Sequence, residues 1–104
     1  MIYSVQQIKF EFFQYIKEFG TNFSDWFVGI SADPKKDLFD KHFVDKEKDI
    51  WLHKQAVSLT ACKTIQKYFL QNLNTDGEIL TEEQEDMVNV YLFKKSVDTI
   101  PSKD

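Results

Sequence analysis

Trp26-Phe27-Val28-Gly29-Ile30 reads as a buried strand, and the Asp33-Pro34 that follows reads as the start of a helix. The first run is short, aromatic and β-branched, a composition that fits a pleated, covered surface. Asp33 is suited to cap the helix, and Pro34 to its first position, where a missing N–H costs nothing. Leu38 and Phe39 give this short helix an inner face, and it is expected to end near His42 or Phe43.

Toward the N-terminus the spacing predicts a longer helix. Ser4 can cap it, and Val5, Ile8, Phe12, Ile16 and Phe19 follow at intervals of three and four as one apolar stripe. Gly20 stands where a left-handed C-terminal cap belongs, ahead of a polar turn at Thr21-Asn22. Phe10, Phe13 and Tyr15 widen the apolar surface beyond one stripe. The sheet can cover part of that excess, and part can form a contact face.

Toward the C-terminus, Asp45-Lys46-Glu47-Lys48-Asp49 reads as a surface loop. Residues 50–57 alternate as a strand, with Ile50, Leu52 and Lys54 opposed to Trp51, His53 and Gln55. Ser58 or Thr60 caps a third helix with the apolar set Leu59, Cys62, Ile65, Phe69 and Leu73. Asn74-Thr75-Asp76-Gly77 is a turn, Thr81 can open a helical turn, and residues 87–93 form the last strand. The expected fold is α+β: a sheet of about three strands covered by helices, in the order α-β-α-β-α-β. One domain over 1–96 and a frayed tail over 97–104 account for the chain.

The 104 residues fit a single domain. Ten Phe, four Tyr and two Trp supply a core from few residues, since each ring buries roughly 150–250 Å². The apolar share of 42% and charged share of 29% exclude a disordered chain. No apolar run nears the roughly 20 residues of a membrane span, and no signal peptide is evident, so no membrane partner is expected. A single cysteine, Cys62, favours a reducing compartment, the cytoplasm. The net charge of −4 is local: six acids (Asp76, Glu78, Glu82, Glu83, Glu85, Asp86) lie between Asn74 and Met87, where no Lys or Arg occurs. Such a segment is a solvated loop, a docking surface for a basic partner, or a divalent-cation loop.

Catalytic chemistry finds little to work with. His42, His53 and Cys62 lack the paired spacing of a zinc site, and the acids do not follow the calcium-loop pattern, so no metal and no cofactor is expected. Cys62 falls on an inner helix face, where a thiol behaves as a small hydrophobe. Gly29 stands alone, without a phosphate loop around it. His42 can line the inner edge of its helix or serve as a cation at the helix C-terminus. Trp51, Lys54, Lys63, Lys67 and Tyr68 mix rings with cations as single-strand binders do, which keeps nucleic acid possible though not favoured.

One stretch has a family likeness. Trp26 to Ser31 followed by Asp33 to Leu38 resembles the second strand and first helix of GIY-YIG nuclease domains. Ala61 to Phe69, with Ile65-Gln66-Lys67-Tyr68 inside it, resembles the helix whose Glu holds the metal there. The resemblance covers roughly residues 26–73. It implies a site at Phe27, Gly29, Asp37, His42 and Gln66 in which the chemistry is replaced: Phe27 stands for the strand Tyr, Asp37 for the Arg and Gln66 for the Glu. His42 comes one residue late, and a helix stands where the first family strand belongs. The expectation is a non-catalytic interaction or accessory protein, with a protein partner or self-association through Phe10, Phe13 and Tyr15. The alternative is a metal-dependent nuclease or nucleic-acid-binding protein of the GIY-YIG type.

Overall fold

The computed structural model describes residues 1–20 and 22–101. Thr21, half of the expected polar turn, and residues 102–104 of the expected tail lie outside them. Strand β1 (Ile2–Tyr3) leads into helix α1 (Val5–Glu18), a single 3₁₀ turn (Phe23–Asp25) and strand β2 (Trp26–Ser31). A short helix α2 (Pro34–Lys36) widens into a π turn (Asp37–Lys41) before strand β3 (Trp51–Ala56). Helix α3 (Leu59–Asn72), strand β4 (Asp76–Gly77) and strand β5 (Asn89–Lys94) complete the fold.

The α+β class is as expected, but the three-stranded sheet and the order α-β-α-β-α-β are corrected. The sheet has five strands in the order β1-β3-β5-β2-β4. β5 runs antiparallel to both neighbours, with His53 and Gly29 on either side of Tyr91. β1 pairs parallel with β3, and β4 with β2, so β5 alone runs against the other four. The two missed strands are the two-residue edges. Asp76-Gly77, expected as part of a turn, is the second of them, and no helical turn forms at Thr81.

Alternation along the central strands sorts the core into two layers. Trp26, Val28, Ile30, Val90 and Leu92 face α1 and α3, whose Ile8, Phe12, Ile16, Ala61, Cys62, Ile65 and Phe69 close the larger layer. Phe27, Tyr91 and Phe93 point the other way, onto Leu38 and Val44. β2 is therefore buried along its whole length, which explains why it has no polar face. Within the segment expected as a frayed tail, Thr99 is buried, and the Ile100 amide donates to the His42 carbonyl at 2.8 Å.

The helices start where hydroxyl caps permit. Ser4 Oγ accepts the Gln7 amide at 3.1 Å while Gln7 Oε1 accepts the Ser4 amide at 2.8 Å, a reciprocal box. Ser58, rather than Thr60, caps α3 by accepting the Ala61 amide. Asp33 accepts the Lys36 amide ahead of Pro34, as the sequence suggests. The chain leaves the π turn through Phe43 with φ 54°, in the left-handed region.

Candidate functional site

The five positions of the family resemblance are divided by the sheet. Phe27, Asp37 and His42 share the α2 side, where the Phe27 and His42 ring centroids lie 4.7 Å apart. Gly29 stands opposite Tyr91 on β5, and a Cβ there would clash with the hydroxyl-bearing edge of the Tyr91 ring. Gln66 lies behind the sheet on α3 and donates through Nε2 to the carbonyls of Val28 and Glu78, each at 3.1 Å. It ties the start of the acidic segment to the sheet. The five do not converge on one cleft.

His42 occupies a closed network. Its Nδ1 lies 2.7 Å from the Ile100 carbonyl and its Nε2 lies 2.8 Å from the Tyr91 hydroxyl. A carbonyl only accepts, so Nδ1 carries the hydrogen, and Nε2 receives the Tyr91 O–H. The ring is buried among Phe27, Tyr91 and Phe93. Burial holds the imidazole below its ordinary pKa and, with the charges of Asp37 and Glu78, pushes the Tyr91 phenol up. Both ring nitrogens are engaged inside the protein, so this centre is built to hold the fold. Cys62 is likewise buried, its thiol pushed up to about 12 by desolvation.

The cation-and-ring set at Trp51, Lys54, Lys63, Lys67 and Tyr68 is dispersed. Trp51 stacks with His53 and meets Phe39 on the α2 side. Lys54 is paired with Glu11 at 3.3 Å and Lys63 with Glu83 at 2.7 Å. Among the described residues no group of three or more His, Cys, Asp or Glu is placed to hold a metal ion, and no helix is long and apolar enough to cross a membrane.

The surface that does gather side chains lies over the helices. α1 buries Ile8, Phe12 and Ile16, which leaves Phe10 on its outer side. Between α1 and α3 runs a furrow of about 350 Å³ lined by Gln6, Lys9, Phe10, Phe13 and Tyr68. Phe13 stacks on Phe23 at 5.7 Å between centroids, Lys9 Nζ sits 4.2 Å above the Tyr68 ring, and Lys17 Nζ lies 5.3 Å from the Phe13 ring. Tyr15, expected with Phe10 and Phe13, turns to the far flank of α1. There it packs on Trp26 and donates its hydroxyl to the Trp51 carbonyl at 3.0 Å.

On the other side of α3 a second furrow, about 270 Å³, is lined by Lys63, Gln66, Lys67 and Leu70 of the helix and by Ile79, Leu80 and Glu83 of the acidic segment. The segment is thus partly tied down at its start, through the Lys41–Glu78 pair at 2.8 Å and the Lys95–Asp76 pair at 3.3 Å. Glu82 to Asp86 are exposed. Sequence reasoning did not find this second furrow, because Ile79 and Leu80 fall in a stretch without periodicity.

No protein-family model, no curated protein and no solved structure matches this chain.

Proposed function

We propose that this is a non-catalytic interaction protein that seats a protein partner on the helical side of its sheet. The observation that carries the reading is Phe10, 64% exposed at the rim of a furrow walled by Phe13 and Tyr68. Phe10, Phe13 and Tyr68 line one furrow, and apolar surface grouped in this way marks interaction sites. Aromatic side chains are also what the centres of interfaces favour. The lysines laid over Tyr68 and Phe13 give the patch a cationic border.

A GIY-YIG-like scaffold belongs to the proposal as its ancestry. The shared face of Phe27, Asp37 and His42 supports it, and the place of Gln66 behind the sheet counts against it. The cytoplasm suits a chain whose one cysteine is free and buried.

The test is affinity capture from native cell extract with the wild-type protein and with Phe10→Ser. A protein retained by the first and lost with the second is expected, and equal retention by both would overturn the reading. Incubating the protein with plasmid DNA and magnesium or manganese is expected to give no nicking. Specific nicking abolished by a Gln66→Ala change would favour the nuclease alternative instead.

A further inference from the structure

The furrow between α3 and the acidic segment has an apolar wall with polar groups at defined places. Leu70 and Leu80 are half-buried, and Ile79, 69% exposed, stands at its lip. Gln66 lines the same furrow although only 4% of it is exposed. Both hydrogens of its Nε2 are taken, by the Val28 and Glu78 carbonyls, so the amide cannot turn over. Its Oε1 accepts no hydrogen bond among the described residues, yet it is not one of the sealed polar atoms without a partner, which are Trp26 Nε1 and Thr75 Oγ1. The oxygen therefore has open space before it, and the space that Gln66 borders is the furrow. Of the charged side chains in the wall, Glu83 is spent on Lys63 at 2.7 Å, and Lys67 makes no ion pair among the described residues. Glu82, Glu85 and Asp86 are exposed and do not line it.

We infer that this furrow is a binding site for a small apolar acid that carries one N–H or O–H donor, on the scale of an indole carboxylate. Each part of that description answers one feature of the wall. A buried acceptor held in one orientation calls for a donor, because a ligand that displaces its water without replacing the hydrogen bond leaves the oxygen unpaired. Leu70, Ile79 and Leu80 cover an apolar body, as the side chains of ligand pockets do. Lys67 offers the carboxylate an unpaired cation, and the Lys63–Glu83 pair adds no net charge. At about 270 Å³ the furrow lies just below the roughly 300–1,000 Å³ of drug-sized sites, which limits the occupant to one or two rings. The site lies across α3 from the Phe10 furrow, so it adds to the interaction reading and does not rest on it.

The experiment is titration of the isotope-labelled protein with indole-3-acetate, followed by amide NMR. Saturable shifts are expected at residues 63–71 and 79–83. The donor is tested on the ligand, because Gln66 is buried and its replacement would disturb the fold. With 1-methylindole-3-acetate, which lacks the N–H, binding is expected to weaken about tenfold, the effect of covering one acceptor without a partner. The charge is tested on the protein at exposed Lys67, where Lys67→Gln is expected to weaken indole-3-acetate about threefold, the scale of one exposed ion pair. The same variant should bind the uncharged methyl ester as the wild type does, and its remaining amide spectrum, unchanged, establishes that folding is intact. No saturable shift at these residues, equal affinity for the methylated ring, or a Lys67→Gln effect that is absent for the acid or equal for the ester would each overturn the site. Shifts confined to residues 6–13 would also overturn it, while leaving the Phe10 furrow and the interaction reading in place.

Discussion

His42 Nε2 and the Tyr91 hydroxyl stand 2.8 Å apart, and the direction of that hydrogen bond is fixed from the far side of the ring. Because Nδ1 must donate to the Ile100 carbonyl, Nε2 is left as the acceptor, and Tyr91 is the donor. The side chain that follows the π turn thereby fastens the central strand to the C-terminal segment.

Removing the donor leaves a buried acceptor without a partner. Tyr91→Phe keeps the ring over Gly29 but strips the hydroxyl, and is expected to destabilise the fold by about 1–3 kcal/mol. Chemical denaturation of the two proteins measures the difference.

The same geometry gives a pH dependence. Burial depresses the folded-state pKa of His42; Lys41 also lowers it, while the Ile100 carbonyl, Asp37 and Glu78 act in the opposite sense. The unfolded chain therefore takes up a proton that the folded protein refuses. The stabilisation is present above the ordinary histidine value of about 6.5 and is lost as pH falls below it toward the folded value. Stability is expected to decline from about pH 7 to 5, before most carboxylates titrate. His53, also depressed by burial with Lys35 and Lys54 nearby, contributes in the same direction. A His42→Gln variant should show a shallower decline, and an unchanged slope would remove His42 as its source.

Phe12 and Phe10 sit on opposite sides of α1, and their truncations should differ accordingly. Phe12 is fully buried and packs on Phe69 at 5.8 Å between centroids, so Phe12→Ala is expected to cost about 3–5 kcal/mol. Phe10→Ala removes an exposed ring and is expected to leave folding stability within about 0.5 kcal/mol of the wild type. Urea titrations of both variants give the comparison directly.

Hydrogen exchange should resolve the acidic segment into two parts. Thr75 is buried, and its amide donates to the Phe69 carbonyl at 3.1 Å, so slow exchange is expected. Glu82 to Glu85 are exposed and belong to no helix or strand, and their amides are expected to exchange at nearly unprotected rates. Strong protection across Glu82–Glu85 in dilute solution would show a structured element there.

What the sequence revealed, and what it hid, follows from element length and from which surfaces meet. α1 could be read because Ile8, Phe12 and Ile16 repeat a single period over about two turns, and Ser4 marks its start. The faces of β3 were equally legible from alternation, with Trp51 and His53 on one side and Leu52 and Lys54 on the other. β1 and β4 were not, because two residues carry no period, and Asp76-Gly77 has the composition of a turn. Pairing order is a property of the whole chain, so nothing local in Asn89–Lys94 marks it as the middle of the sheet. At the candidate site, the excess of rings on α1 is visible, but the sequence does not separate Tyr15 from Phe10 and Phe13, although its hydroxyl reaches Trp51 on the opposite flank. The Gln66 bonds to Val28 and Glu78 depend on contacts across 38 and 12 residues, which spacing alone does not encode.

The position of β5 governs how the protein can be made. Of the five strands it is the last to leave the ribosome, yet β3 and β2 are joined only through it. Until residues 89–94 emerge, nothing joins β3, with its partner β1, to β2, with β4, and the inner edges of β3 and β2 have no strand to pair with. Bare edges of that kind recruit strands from neighbouring chains. Translation that stalls before Asn89 should therefore yield aggregation-prone or rapidly degraded product, and completion of the fold must follow synthesis of its centre.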